Sequence, residues 1–177
     1  MKTKGKLMDM LTGYAASHQH PVNIFVHMIG IPTIMLGVLI PLSWVSIDID
    51  GFPLSLAHLV VFGFFVFYLT LDALFAMVFL VFAMGLTLLA SWIAALPMAT
   101  SASIAAVLFF GGYALQFVGH AIEKSMPVLV KHPVQANLAA PFFTVVEMFK
   151  LLGLRDELFD EVQRQIALRR QSVSESG

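Results

Sequence analysis

The chain has 177 residues, of which 59% are hydrophobic and 12% are charged, and its formal net charge is −1. Soluble globular domains carry about 25% charged residues, so this composition excludes an ordinary soluble domain, and the lack of a basic patch excludes nucleic acid as an expected partner. The sequence contains no cysteine, which excludes disulfides, a thiolate nucleophile and cysteine-ligated metal.

The basic residues lie only at the two ends of the chain. Lysines occur at positions 2, 4 and 6, and no lysine or arginine follows until Lys124. The positive-inside rule therefore predicts that both termini lie in the cytoplasm, which requires an even number of membrane crossings. We predict an all-α, multi-pass helical bundle in a lipid bilayer, either a bacterial inner membrane or, in a eukaryote, the membrane of the endoplasmic reticulum.

Hydrophobic periodicity and the positions of proline and glycine predict one membrane domain at 1–155. It begins with an interfacial amphipathic helix at 1–17. About four transmembrane helices follow, each near the roughly 20 residues that a crossing needs, and we place them at 21–45, 54–71, 73–96 and 101–123. Aspartates and a glycine at 48–51 predict an acidic turn after the first of them. Residues 127–152 are predicted to be a membrane-associated segment, interfacial or re-entrant, and 156–177 a charged cytoplasmic tail.

Polar side chains at the start of the first predicted span and at the end of the fourth share one depth in the membrane. Pro21 breaks the helix between His18 and His27, so the two imidazoles can turn toward each other. On the fourth span, residues 116, 120 and 123 follow the i, i+4, i+7 spacing of one helix face. The predicted cluster consists of His18, Asn23, His27, Gln116, His120 and Glu123.

Ionisable groups inside a membrane are hypotheses for a functional site. Three imidazoles with a carboxylate suit Fe(II) or Zn(II), and open positions on non-haem iron suit oxygen chemistry. A structural alternative remains open, in which these groups only hydrogen-bond the first and fourth spans together. A haem protein that uses His27 and His120, a small transporter and a structural membrane protein are further alternatives.

Three short sequence blocks follow one another along the chain, and the first two are polar. The pattern H-x4-N-x3-H-x2-G-x-P runs from His18 to Pro32, with Tyr14 one turn before it. The segments QFVGHAIEKSMP at 116–127 and APFFTVVEMF at 140–149 follow. Together these blocks resemble the Mpo1-like family of membrane proteins, and the resemblance extends from about Tyr14 to Gly153.

The resemblance implies an Fe(II)-dependent dioxygenase that uses O2 to cleave 2-hydroxy fatty acids by α-oxidation, leaving a chain one carbon shorter. Carried over by position, it implies His18, His27 and His120 as iron ligands, with Glu123 and Asn23 as further catalytic positions. Tyr14, Gln116 and Glu147 are expected next to these residues. His20, His58 and His132 lie outside the family pattern. The sequence also allows an oligomer.

Overall fold

The computed structural model describes residues 2–15, 18–131 and 133–175, and most of them are helical. The helices, in chain order, are α1 Lys2–Ala15, α2 Pro21–Ser43, α3 Leu56–Leu69, α4 Ala73–Ala94, α5 Met98–Glu123, α6 Val128–Lys131, α7 Pro133–Leu151 and α8 Asp156–Glu175. A two-stranded antiparallel hairpin, β1 Ser46–Ile49 and β2 Phe52–Ser55, joins α2 to α3. The predicted α-helical membrane bundle is confirmed, with this hairpin as an addition.

Within the described residues, three helices are long and apolar enough to cross a membrane, namely α2, α4 and α5. Helix α3 has only 14 residues, about 21 Å at roughly 1.5 Å per residue, against a hydrocarbon core of roughly 30 Å. The helix in this region is therefore shorter than the predicted span at 54–71, because Leu54 and Ser55 pair with β1 instead.

Helices α7 and α8 are bent by 116° relative to each other. Only together are they long and apolar enough to cross a membrane, as a broken span or a re-entrant segment. The structure therefore has three candidate spans, or up to four if this pair counts as one. If both termini lie in the cytoplasm, the number of membrane crossings must be even. That placement stays a prediction.

The ends of the long helices follow from local sequence. Pro21 occupies the first turn of α2, where its missing N–H is no loss, and the Nδ1 of His20 caps the helix by accepting from Val22 N at 3.2 Å. Asp72 caps α4 by accepting two backbone N–H groups at 3.0 and 3.1 Å. Helix α5 ends at Glu123, and Lys124 directly after it takes the left-handed conformation with φ 56°.

The hairpin forms because its turn has suitable residues. Asp50 and Gly51 have φ angles of 53° and 83°, and positive φ at both central residues is typical of the type I′ turn that joins paired strands. The side chain of Asp48 accepts from Gly51 N at 2.9 Å. An Asp-Gly pair is a strong hairpin signal, so the predicted acidic turn is more exactly described as a hairpin turn.

Four glycines form a seam between α2 and α5, which we call the glycine seam: Gly30, Gly37, Gly112 and Gly119. A Cβ atom at Gly37 would lie 2.7 Å from Phe109 N, and one at Gly112 would lie 3.0 Å from Gly30 O. Small residues allow this kind of close backbone approach in membranes. The seam brings the start of α2 next to the end of α5.

Helix α7 packs against α2 and α4, and α1 packs against α7 and α8. Buried aromatic rings fill the space between α3, α4 and α7, including Tyr68, Phe79 and Phe142. The hydroxyl of Tyr68 donates to Leu138 O at 2.8 Å and so ties α3 to α7. This packing holds α7 over the end of the bundle that carries the predicted polar cluster.

Candidate metal centre

Three histidines meet where α2 starts and α5 ends. His18 lies just before α2, His27 lies in α2, and His120 lies in the last turn of α5. Their exposed fractions are 3%, 3% and 4%. One ring nitrogen from each lies within 4.8 Å of the others, and among the described residues these three form the group that could hold a metal ion.

The outer ring nitrogens of two histidines are oriented by backbone carbonyl groups. His18 Nδ1 lies 2.8 Å from Tyr14 O, and His27 Nδ1 lies 2.9 Å from Asn23 O. A carbonyl oxygen only accepts, so each Nδ1 carries the proton and each Nε2 keeps a lone pair. This arrangement is typical of metal-binding histidines, whose second nitrogen is held by an outer oxygen.

The two Nε2 atoms face each other at 3.2 Å. Two lone pairs at this separation repel each other, and a cation placed among the rings would convert that repulsion into attraction. His120 completes the group with its Nδ1 2.9 Å from the hydroxyl oxygen of Ser125. Because a hydroxyl can accept, the Nε2 of His120 is also available to a metal.

Burial favours the neutral form of His18. Burial, followed by the neighbouring His27, lowers the pKa of His18 to about 3. A neutral imidazole is the form that binds metals. The ring of Tyr14 stacks on His18 with centroids 4.1 Å apart and an interplanar angle of 5°. Burial raises the pKa of the Tyr14 hydroxyl, so this phenol stays protonated.

Glu123 points toward the chain before α2. Its Oε1 accepts from Gln19 N at 2.7 Å and from His20 N at 3.1 Å, and its Oε2 accepts from the side-chain amide of Asn23. The carboxylate therefore fastens the turn that carries His18. The metal-capable group contains the three histidines without Glu123, so the catalytic role expected for Glu123 and Asn23 stays a prediction.

Two other predicted neighbours of the centre are Gln116 and Glu147. Gln116 lines the same cavity as the histidines. Glu147 is 4% exposed, pairs with Lys150 at 3.7 Å on α7 and is not among the cavity-lining residues, but its charge acts on the buried Tyr14 that stacks on His18.

Two of the three remaining histidines have other partners, and the third is not described. His20 caps α2. His58 bonds to the hydroxyl of Ser55 at 2.8 Å at the start of α3. His132 lies outside the described residues.

A cavity of about 240 Å³ begins at the three histidines. Its walls are mostly apolar, and the described residues that line it include no lysine or arginine. The polar exceptions besides Tyr14 and the histidines are Tyr113, Gln116 and Asn137, and the hydroxyl of Tyr113 donates to Asn137 Oδ1 at 3.0 Å between α5 and α7. Sequence analysis missed Tyr113 and Asn137, although Tyr113 lies one turn before Gln116 on the polar face.

Comparison with known proteins gives a family match and a curated relative that each cover most of the chain. The family model described as 2-hydroxy-palmitic acid dioxygenase Mpo1-like matches residues 5–152, which include all three histidines. The 2-hydroxy-palmitic acid dioxygenase MPO1 of Saccharomyces cerevisiae is 26% identical over 168 residues, covering 94% of this chain and 93% of that protein. No solved structure matches the chain.

Proposed function

The chain belongs to the 2-hydroxy-palmitic acid dioxygenase Mpo1-like family, and we propose that it is an Fe(II)-dependent dioxygenase that shortens 2-hydroxy fatty acids by one carbon. One observation carries the proposal: the Nε2 atoms of His18 and His27 face each other at 3.2 Å, next to His120, at one end of a mainly apolar cavity. A metal centre and a site for an acyl chain are thus continuous.

The donor set fits a first-row divalent metal. Neutral imidazole nitrogens suit iron, zinc, nickel and copper, and iron with open positions suits oxygen chemistry. Among the described residues no other histidine or carboxylate joins the group, which leaves positions for substrate and O2. Bound Fe(II) would supply activation of O2 and a Lewis-acid site for the substrate's oxygens.

The chemistry of the cavity favours an acid that can bind a metal directly. A carboxylate that loses water needs a compensating charge, and no lysine or arginine is among the described lining residues. A 2-hydroxy acid offers a carboxylate oxygen and a hydroxyl oxygen to one cation. The amide of Gln116 and the hydroxyl of Tyr113 add hydrogen-bonding groups along the wall near the histidines.

The reaction breaks the C1–C2 bond of the 2-hydroxy acid. With one O2 consumed per acid, the products that balance are the fatty acid one carbon shorter, carbon dioxide and water. The protein's own contribution is to hold the imidazoles by their outer nitrogens, to bind the acyl chain, and to keep bulk water out with apolar walls. The stacked ring of Tyr14 keeps His18 in one orientation.

The proposed substrate and the protein both reside in the lipid bilayer. A fatty acid resides in the bilayer, and the cavity lies between the membrane helices α2 and α5 and the short helix α3. We propose a multi-pass protein of a bacterial inner membrane, or of the endoplasmic reticulum in a eukaryote, with both termini in the cytoplasm. Because α2 starts and α5 ends on the same side of the bundle, the short helix α3 returns the chain between α2 and α4 as the fourth crossing, and the α7–α8 pair is re-entrant.

The experiment uses purified full-length protein loaded anaerobically with Fe(II) or Zn(II). We expect O2 consumption with 2-hydroxypalmitate only in the Fe(II) protein, together with the acid one carbon shorter by mass spectrometry. Palmitate is the matched control because it lacks only the hydroxyl group. Equal activity with Zn(II), turnover of palmitate at the same rate, or a haem Soret band in the purified protein would reject the proposal.

A further inference from the structure

The cavity follows one face of α2 away from the metal centre. After His27, the α2 residues that line it are Ile31, Ile34, Met35, Val38 and Leu39. Residues 27 to 39 span about 18 Å of helix at roughly 1.5 Å per residue. One leaflet of acyl chains occupies about 15 Å, half of a hydrocarbon core of roughly 30 Å. The cavity therefore extends over about the thickness of one leaflet.

The two ends of the cavity are lined by different residues. Beside the histidines, Phe117 is 48% exposed and Asn137 is also exposed, so the cavity opens at that end. At the far end, Leu39 is 4% exposed and Val61 is 3% exposed, whereas Val38 beside them is 37% exposed. Leu39 and Val61 therefore form a buried wall at the far end.

Leu39 and Val61 lie at the same level of the bundle. Leu39 precedes the end of α2 by about one turn, and Val61 follows the start of α3 by a little more than one turn. The hairpin joins these two helix ends, and Leu56 N donates to Val45 O at 2.8 Å. Both side chains line the cavity, so together they form a buried wall at its far end.

We propose that Leu39 and Val61 set the acyl chain length that the protein prefers, because the end of the chain meets them when the acid group is at the histidines. The inference rests on the proposed function. A well-packed apolar site distinguishes ligands that differ by one methylene by about 10-fold or more. Closing or opening the far end should therefore shift the preferred length by at least one methylene unit.

The test compares Leu39→Ala, Leu39→Phe and Val61→Phe on 2-hydroxylaurate, 2-hydroxymyristate, 2-hydroxypalmitate and 2-hydroxystearate. The matched control is Leu88→Ala, because Leu88 on α4 is 60% exposed and does not line the cavity. Two readouts are used: kcat/KM of the Fe(II) protein, and binding of the same acids to Zn(II)-loaded protein. Variants are compared only if their thermal unfolding stays cooperative, and the two phenylalanine variants, on different helices, serve as independent replicates.

We expect Leu39→Ala to raise the ratio of kcat/KM for 2-hydroxystearate to kcat/KM for 2-hydroxypalmitate about 10-fold. Both phenylalanine variants should shift the preference toward shorter acids. Leu88→Ala should keep the wild-type profile. An unchanged profile in both phenylalanine variants, with turnover intact, overturns this inference and leaves the proposed function standing. Length-dependent binding that shifts with Leu39 but comes without turnover rejects the proposed function alone. Wild-type protein that neither binds nor converts these acids overturns both.

Discussion

His18 Nε2 lies 3.2 Å from His27 Nε2, while the Nδ1 atom of each ring is held by a backbone carbonyl oxygen. Neither ring can rotate to relieve the contact without losing a hydrogen bond that a buried polar group needs. Protonating one imidazole would also relieve it, but burial disfavours the charged form. A metal ion bound by the candidate centre would satisfy both nitrogens at once.

The first prediction concerns iron content. Purified wild-type protein should hold about one iron per chain, and His18→Ala, His27→Ala and His120→Ala should each lose more than about 100-fold in iron affinity, since even the outer partners of metal ligands contribute 10–100-fold. Metal analysis by mass spectrometry and Fe(II) titration measure this.

The control for the iron prediction is His20→Asn, because asparagine also caps helices well and His20 faces Val22 N instead of the centre. This variant should keep its iron. Retention of iron in all three alanine variants would reject the ligand assignment, and so would stoichiometric zinc in protein purified without added metal.

The second prediction separates the role of Glu123 from that of the histidines. Glu123→Ala removes the acceptor of two backbone N–H groups and of the Asn23 amide, so the turn carrying His18 should loosen. We expect iron affinity to fall about 10–100-fold and thermal stability to fall as well. Glu123→Gln keeps one side-chain oxygen and should lie between wild type and alanine. Full loss of iron with unchanged stability would identify Glu123 as a ligand.

The third prediction concerns the glycine seam. A Cβ at Gly37 would lie 2.7 Å from Phe109 N and 3.0 Å from Ala105 O, and these backbone atoms cannot move without separating α2 from α5. Gly37→Ala should therefore destabilise the protein by about 1–3 kcal/mol. Gly111→Ala is the matched control because nothing lies within 4 Å of its added Cβ, and it should be neutral or stabilising by up to about 1 kcal/mol. Equal thermal unfolding temperatures for the two variants would contradict the close packing.

The fourth prediction concerns the contact that ties the start of α8 to the start of α4. Arg155 Nη1 lies 2.8 Å from Asp72 Oδ2, and its guanidinium lies 4.6 Å from the centroid of the Phe75 ring. Since Arg155 is 35% exposed, a double-mutant cycle of Asp72→Asn and Arg155→Met should give a coupling of only about 0.5–1 kcal/mol. Asparagine keeps a capping oxygen for α4, so the cycle isolates the charge. Strictly additive effects on unfolding in low salt would contradict it.

The sequence could predict the candidate centre because its signals are the spacing of nearby residues and their depth in the membrane. Pro21 between His18 and His27, and the single face shared by Gln116 and His120, predicted a cluster that the structure brings together. The orientation of Glu123 could not be predicted from the sequence, because it depends on how the turn before α2 contacts the end of α5. That meeting is a tertiary contact across about 100 residues of chain.

Sequence reasoning placed the middle of the chain less well because apolar composition alone does not give helix length. Residues 54 and 55 are as compatible with a strand as with a helix, and the Asp50-Gly51 turn decides in favour of the strand. The cavity also escaped prediction. Its walls come from separate helices, and the hydrogen bond between Tyr113 and Asn137 joins segments whose contact no periodicity indicates.

The glycine seam has a consequence for the candidate metal centre. His27 and His120 lie on the two helices whose backbones touch along the seam, so the distance between these candidate ligands is set by main-chain contact instead of flexible side chains. The centre is therefore preorganised: the entropy of bringing its ligands together is lost during folding, before an ion arrives. Such a site selects ions by geometry as well as by affinity, and substitutions several turns away at Gly37 should alter which metal it prefers.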